Sequence, residues 1–219
     1  FHIFDVGMVY FTKAARHQIR GLAFSTIAWI MCSASMGLPQ WRIWYLEEPV
    51  VSYPSMAFVG MWRACICHHA DNSSHLRVCH HYSYRDTLVP LDIRVAQHLL
   101  LISCILGLIG TACAVFSLQQ VYTERPQKNN NSNPFVFSAV LNAIASSFIF
   151  LAVMCNYFSV SGKEGIVFLP SFQMPLFPYA QRAGSAMGVA SIAAIFFLLS
   201  AIIFISYCPT SEREMLPDV

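Results

Sequence analysis

Cysteine and histidine are concentrated in one short segment of the chain, residues 60–81, which contains three cysteines and five histidines. The cysteines are Cys65, Cys67 and Cys79. Thiolates and imidazoles at close spacing could bind zinc, a pair of thiols could carry out redox exchange, and two oxidised thiols would form a disulfide. The compartment decides among these chemistries, because thiols oxidise outside the cell and stay reduced in the cytosol.

The composition of the whole chain indicates a membrane protein. Hydrophobic residues make up 56% of the sequence and charged residues only 11%, less than half the usual charged share of a soluble domain. Four segments contain no charged residue: 21–38, 99–121, 134–158 and 186–207. Each is long enough to cross a bilayer as a helix, whereas buried helices of a soluble protein would keep a polar face. We therefore predict one integral membrane domain over residues 1–219, with four transmembrane helices.

The interiors of the predicted spans indicate a packed bundle rather than a transport pathway. None of the four spans contains Asp, Glu, Lys, Arg or His, so an ion pump or a secondary transporter would lack a relay. The amide of Asn142 is expected to bond a neighbouring helix. The glycines within residues 106–110, and the spacing of Gly184 and Gly188, predict close approach of helix backbones.

The topology follows from the number of spans and from the distribution of positive charge. Four spans place both termini on one side of the membrane. Lys and Arg are about half as dense in the two longer connections as in the remaining segments, and positive charge near helix ends marks the cytoplasmic side. We expect extracellular loops at 39–98 and 159–185, and cytoplasmic segments at 1–20, 122–133 and 208–219.

A glycosylation acceptor sequence, Asn72-Ser73-Ser74, lies in the longer predicted outer loop, and a glycan is added to such a sequence only outside the cytosol. A second acceptor sequence begins at Asn130 in the predicted inner loop and is expected to stay bare. The two sites together therefore offer a readout of the predicted topology.

In an oxidising outer loop, the residues around the cysteines favour a disulfide. Residues 57–63 and 78–84 have the composition of strands, and the turn-forming residues 71–74 lie between them. A bridge from Cys65 to Cys79 would tie two neighbouring strands and contribute roughly 3 kcal/mol to stability in the chain-entropy model.

Other chemistries for this segment are less well matched, and one alternative pairing stays open. Zinc would find enough ligands, but the one-residue spacing of Cys65 and Cys67 is tighter than in common structural zinc sites. A redox centre would need Cys-x-x-Cys, which the segment lacks. Cys67 could replace Cys65 as the partner of Cys79, because alternate residues of a strand point to the same face.

These residues resemble the signature of the claudin family of tight-junction membrane proteins. The family signature combines a tryptophan, a Gly-Leu-Trp sequence and two cysteines in the first outer loop. Its counterparts here are Trp41, Gly60, Met61, Trp62, Cys65 and Cys79. The likeness extends over nearly the whole chain, from about Met8 onward, and it assigns Cys65 rather than Cys67 to the bridge.

The sequence also departs from the family pattern at several positions. Gln97 stands where an arginine usually begins the second span, and residues 153–156 lack the usual proline and tryptophan. Residues 172–175 read Phe-Gln-Met-Pro where many members have Phe-Tyr-Asn-Pro. These changes leave the expected fold intact and bear instead on how neighbouring chains assemble.

The resemblance implies an all-α transmembrane four-helix bundle topped by a small antiparallel extracellular β-sheet built from the two outer loops. It implies a multi-pass protein of the plasma membrane at tight junctions. Other claudin-like chains would be its partners, in the same membrane and across the cell–cell contact. Together they would form adhesive strands that act as a paracellular barrier or an ion-selective pore. Trp41 and Trp62 are expected to seat the sheet at the membrane surface, where aromatic rings are favoured.

The resemblance also implies candidate site residues. The position after the second cysteine often carries a pore-facing charge in the family, and here it is His80, followed by His81 and further on by Arg85. A ring of one charge sign filters ions, and histidine changes charge near physiological pH. Phe172 and Pro175 are the candidate contacts with the opposite cell.

Two other classes of function differ in what the sequence would need to contain. An auxiliary subunit or regulator of another membrane protein would leave no motif, so it stays as the alternative function. A membrane thiol oxidoreductase would need Cys-x-x-Cys and an acid or base within the predicted spans, and the sequence has neither. We therefore predict no enzyme activity, no cofactor and no metal.

The C-terminus suggests one further partner. Val219 fits the pocket of a scaffold PDZ domain, which captures a terminal residue by strand addition, although Pro217 lacks a backbone donor. Membrane lipid is the other expected partner, and a nucleic acid is not expected.

Overall fold

A computed structural model of the chain describes residues 2–46, 55–69, 75–82, 89–123, 133–167 and 176–206. In chain order its helices and strands are α1 (His2–Gly37), β1 (Arg42–Leu46), β2 (Ser55–Val59), β3 (Arg63–His69), β4 (His75–His81), α2 (Leu91–Thr123), α3 (Val136–Ser161), β5 (Ala180–Ala183) and α4 (Ser185–Ile205). The predicted fold class, four long apolar helices with a small antiparallel sheet, is confirmed.

Four helical segments are long and apolar enough to cross a membrane: Arg16–Gly37, Leu91–Val121, Val136–Ser161 and Ser185–Ile205. They correspond to the four predicted spans. The second begins at Leu91 rather than at residue 99, because the helix continues through the charged residues Asp92 and Arg94, which an uncharged segment excludes.

Small residues make room between the helices of the bundle, although not at every predicted position. A Cβ on Gly107 of α2 would overlap the ring of Phe197 on α4, and a Cβ on Gly110 would lie 2.7 Å from Oδ1 of Asn142 on α3. A Cβ on Gly188 would meet nothing within 4 Å. Gly107 and Gly110 thus make room for side chains of α4 and α3, and the close approach of helix backbones expected around residues 106–110 stays a prediction. The one expected at Gly188 is wrong.

Four polar residues, one from each helix, form a buried hydrogen-bonded group that we call the Asn142 cluster: Ser25, Thr111, Asn142 and Ser200. The hydroxyls of Ser25 and Thr111 lie 2.8 Å apart, and Nδ2 of Asn142 donates to Oγ of Ser200 at 3.0 Å. The Ser25 hydroxyl also lies 3.3 Å from Oδ1 of Asn142. The prediction that Asn142 bonds a neighbouring helix is confirmed.

The sheet lies at the end of the bundle where α1 ends and α2 begins. Its strand order is β4-β3-β2-β1-β5, and every neighbouring pair is antiparallel. Four strands come from the segment between α1 and α2, and β5 comes from the segment between α3 and α4. The sheet is thus built from both longer connections, as predicted.

The register gives the sheet two different faces. The helix face packs with residues of the bundle in one buried core and carries Arg42, Trp44, Ala57, Val59, Ala64 and Ile66. The disulfide face points away from the helices and carries Ile43, Tyr45, Met56, Phe58, Cys65 and Cys67.

One predicted strand, residues 57–63, is divided in the structure. The chain turns between β2 and β3, where the N–H of Gly60 donates to the carbonyl oxygen of Arg63 at 2.9 Å. Both Cys65 and Cys67 therefore lie within β3. The apolar run concealed the turn, because Gly60, Met61 and Trp62 continue the apolar and aromatic composition of β2.

Candidate functional site: the sheet and its anchorage

The disulfide joins the two strands that carry the opening cysteine–histidine segment. Cys65 of β3 and Cys79 of β4 lie directly opposite one another in the register and are bonded. Cys67 is a free, half-buried thiol, and Arg77 is the residue opposite it. With Cys65 and Cys79 oxidised, these sulfurs do not serve as thiolate ligands for zinc.

The first signature tryptophan is a core residue. Trp41 is fully buried, and its Nε1 donates to the carbonyl oxygen of Ser35 at 2.8 Å, near the end of α1. The expectation that its ring lies at the membrane surface is wrong, because the ring fills the space between the sheet and the bundle. Trp62 is partly buried against the same core. Trp44, which sequence reasoning did not single out, is also fully buried.

The turn formed by Gly60, Met61 and Trp62 rests on two helices. A Cβ on Gly60 would lie 2.7 Å from Cα of Pro39, so only glycine allows the turn to approach the chain leaving α1. Met61 is buried, and its carbonyl oxygen accepts a hydrogen bond from Nε2 of Gln97 on α2. Gln97, where this sequence departs from the family pattern, thus binds the signature turn to the second span.

A charged group holds the sheet on the bundle, and we call it the Arg42 cluster: Arg42, Asp92 and Asn156. Arg42 is only 1% exposed and forms an ion pair with the carboxylate of Asp92 at the start of α2. Its Nε and Nη2 donate to Oδ1 of Asn156 near the end of α3, at 3.2 and 2.8 Å. One side chain of β1 is therefore fixed to two helices.

Because the Arg42 guanidinium is buried, its stability depends strongly on Asp92 and Asn156. Asn156 is fully buried, and its Nδ2 donates to the carbonyl oxygen of Ala152. A buried guanidinium without a counter-charge costs several kcal/mol of solvation free energy.

The sequence analysis singled out the position of Asn156 only because the usual proline and tryptophan are absent there. The signal that could have revealed the cluster is a polar residue at the start of β1, at the start of α2 and near the end of α3, each beside an apolar segment.

The two candidate selectivity histidines occupy different environments. His80 lies opposite Ala64, on the helix face, and is half-buried with its ring 6.3 Å from that of Tyr82. Burial raises the pKa of the Tyr82 phenol. His81 is exposed and lies opposite Arg63. The two histidines are neighbours in the chain but lie on opposite faces of β4, and of the two only His81 is exposed to solvent.

Several residues singled out from the sequence lie outside the described part of the chain. They are Asn72, Arg85, Asn130, Phe172, Pro175, Pro217 and Val219.

The described strands carry positive charge without acidic residues: none of β1 to β5 contains Asp or Glu. Besides the paired Arg42, they contain Arg63, Arg77 and Arg182. The register places all three on the disulfide face. Arg182 is exposed, and its guanidinium carbon lies 5.7 Å from the centroid of the Tyr45 ring, a cation–π contact.

Comparison with known proteins identifies one family. A family model described as PMP-22/EMP/MP20/Claudin tight junction matches residues 26–206. Dog claudin-3 is 22% identical over 204 residues, which cover 91% of this chain and 86% of that protein. Human claudin-19 is 26% identical over 201 residues, covering 90% of this chain and 83% of the relative. Mouse claudin-19 is 27% identical over 202 residues with the same two coverages.

The matched region contains the disulfide, the signature turn, the Arg42 cluster and most of the four apolar helices. The chain therefore belongs to the PMP-22/EMP/MP20/claudin family and is a claudin-like, multi-pass membrane protein of the tight junction.

Proposed function

We propose that this chain assembles with other claudin-like chains into strands that border a paracellular path favouring anions over cations. The sheet would stand outside the cell, with both termini in the cytoplasm. The observation that carries the proposed selectivity is the absence of acidic residues from the described strands, together with the exposed Arg182 on the disulfide face.

The charge on this face is not neutralised within the strands. Arg42 does not contribute, because it is buried and paired with Asp92. Arg182 is exposed on the disulfide face beside apolar residues such as Ile43 and Phe58. The guanidinium of Arg63 donates to the carbonyl oxygen of Gly37 at the end of α1, at 3.3 Å, and Arg77 occupies a register position on the same face. Charges of one sign beside a wall of low polarity focus the field and raise the local concentration of counter-ions. A wall of this kind attracts chloride and repels sodium.

In the described part of the chain from β1 to the start of α2, the acidic side chain is that of Asp92, which is engaged by Arg42. Glu47, Glu48, Asp71 and Asp86 lie outside the described residues. We therefore assign the selectivity to the sheet rather than to the net charge of the loops.

Dilution potentials across epithelial layers expressing the protein test this proposal. The chloride-to-sodium permeability ratio should rise above that of untransfected layers and should fall in Arg182→Gln. Lys163→Gln is the matched control, since Lys163 is an exposed cation near the same end of the molecule but outside the sheet. A ratio that favours sodium, or one that Arg182→Gln and Lys163→Gln alter equally, would exclude the sheet as the selective element.

The proposed orientation can be tested by glycan mapping. If the sheet stands outside the cell, Asn72 can carry a glycan and Asn130 cannot. Enzymatic deglycosylation of the Asn72→Gln and Asn130→Gln variants would report this as a change in electrophoretic mobility. A glycan on Asn130 would show that the chain has the opposite orientation.

A further inference from the structure

Three sulfur atoms share one face of the sheet near its edge. Cys65 and Cys79 are bonded across β3 and β4, and Cys67 lies on the same face of β3, two residues from Cys65. Cys65 is only 1% exposed, whereas Cys79 is exposed and Cys67 is half-buried. A free thiol therefore lies next to a disulfide whose accessible sulfur is that of Cys79.

The strand that carries Cys79 is paired on one side only. β4 is the edge of the described sheet and pairs with β3 alone. Side chains alternate between faces with a period of two residues, so a slip by two residues leaves every side chain on its original face. Such a slip along β3 would bring Cys79 opposite Cys67 and would move β4 by about 7 Å.

We propose that the Cys67 thiol exchanges with the Cys65–Cys79 disulfide, so that β4 can be locked covalently in either of two registers. The thiolate sulfur of Cys67 attacks the sulfur of Cys79. The Cys65–Cys79 bond breaks, a Cys67–Cys79 bond forms, and Cys65 leaves as a thiolate that takes up the proton lost by Cys67. The step is a thiol–disulfide exchange without net oxidation and needs no added oxidant.

The structure also indicates which register is the more stable. The slip breaks the hydrogen bond from the Tyr82 N–H to the carbonyl oxygen of Trp62, which measures 2.9 Å. Loss of this bond makes the Cys65–Cys79 register the major one, and the second register is a minor, reversible state. The thiolate that forms transiently at the buried Cys65 is disfavoured by burial, which slows the exchange.

The slip would rearrange the charged face of the sheet. Arg77, now opposite Cys67, would move to a position opposite His69, and His81 would move from Arg63 to Cys65. The exchange itself depends only on the three cysteines and the edge position of β4. It goes beyond the proposed anion preference and can hold or fail independently of it.

The test uses the intact, unreduced protein purified in detergent. One sample is held at about pH 8.5, where more thiolate forms, and another at about pH 5.5, before both are acidified and free thiols are alkylated. Trypsin cleaves after Arg63, Arg77 and Arg85, so Cys65 and Cys67 fall in one peptide and Cys79 in the next. Fragmentation of the linked, deglycosylated peptides shows which cysteine of the first peptide carries the label.

The exchange predicts label on Cys67 alone in the acidic sample, and a fraction of molecules labelled on Cys65 in the alkaline one. Label on Cys67 alone in both samples would overturn the proposal. A second arm uses Cys65→Ser, which should form a Cys67–Cys79 bridge, and Cys67→Ser as its control, which should keep the Cys65–Cys79 bridge. Free thiols at both Cys67 and Cys79 in folded Cys65→Ser protein would also contradict it.

Discussion

The molecule contains two buried polar groups that serve different connections. The Asn142 cluster joins four helices through hydroxyls and one amide, and it contains no charge. The Arg42 cluster joins the sheet to two helix ends through an ion pair and two hydrogen bonds to one amide oxygen. The polar bonds between helices in this cluster are thus several, weak and neutral, whereas those that dock the sheet include one desolvated charge.

The two clusters should therefore differ in how they tolerate loss of a partner. Interhelical hydrogen bonds within membranes contribute about 0.6 kcal/mol on average, because the separated helices also find partners. Removing one member of a buried ion pair costs about 3–5 kcal/mol, because the other charge is left without compensation. The sheet end is accordingly the part of the molecule that a single substitution can disable.

The largest effect is expected from Arg42→Met. Asp92 and Asn156 would lose their cationic partner, and the free energy of unfolding should fall by about 3–5 kcal/mol. Thermal unfolding in detergent, followed by near-ultraviolet circular dichroism of the tryptophans packed under the sheet, measures the loss. The far-ultraviolet helix signal should persist, since the Asn142 cluster is intact.

The matched control for Arg42→Met is the double variant Arg42→Met/Asp92→Leu. It removes both charges and should recover much of the lost stability, because an apolar pair of similar volume often replaces a buried ion pair without loss. Equal stability of the wild type and Arg42→Met would contradict the role given to the cluster.

The second effect concerns the turn that rests on α2. Gln97→Met removes the donor to the buried Met61 carbonyl oxygen, and an unpaired buried acceptor costs about 1–3 kcal/mol. Gln120→Met makes the same chemical change on the same helix at an exposed position and should leave stability nearly unchanged. Equal melting temperatures for these two variants would remove Gln97 from the anchorage of the sheet.

The third effect concerns the glycines of the bundle. Gly107→Ala would force a methyl group into the ring of the fully buried Phe197, and overpacking of this kind typically costs about 1–3 kcal/mol. Gly188→Ala enters open space and should be neutral or slightly stabilising. Denaturant unfolding of both variants measures the change in the free energy of unfolding. Equal losses of stability in Gly107→Ala and Gly188→Ala would show that Gly107 is not in close contact with Phe197.

The smallest effect is expected at the centre of the Asn142 cluster. Asn142→Leu removes bonds to Ser25 and Ser200, yet each of these hydroxyls keeps another partner: Thr111 for Ser25 and the Gly21 carbonyl for Ser200. The loss should be about 0.6–1.7 kcal/mol. A loss as large as that of Arg42→Met, measured in the same detergent, would abolish the contrast between the two clusters.

The sequence predicted those features that depend on local composition or short spacing. Hydrophobic runs located the four spans, and the signature motif assigned Cys65 and Cys79 to one bridge. The turn at Gly60 was missed because its apolar neighbours look like a continuing strand. The wrong expectation for Trp41 had a similar origin, since composition alone does not separate a membrane-surface ring from a core ring.

The anchorage of the sheet could not be predicted, because its partners are distant in the chain. Arg42 lies 50 residues from Asp92 and 114 from Asn156, and only the packing of the strand against two helix ends brings them together. The contact between the Cys32 and Cys104 sulfurs, 3.4 Å apart on α1 and α2, was missed for the same reason. Each cysteine on its own reads as a small apolar residue of a span.

Freeze-fracture imaging tests directly whether the sheet end assembles between cells. The wild-type chain would be expressed in cells without junction strands of their own, with surface delivery verified by labelling. We expect continuous intramembrane strands at contacts between two expressing cells. Surface protein on both sides of such contacts without strands would contradict assembly between cells and favour an auxiliary-subunit role.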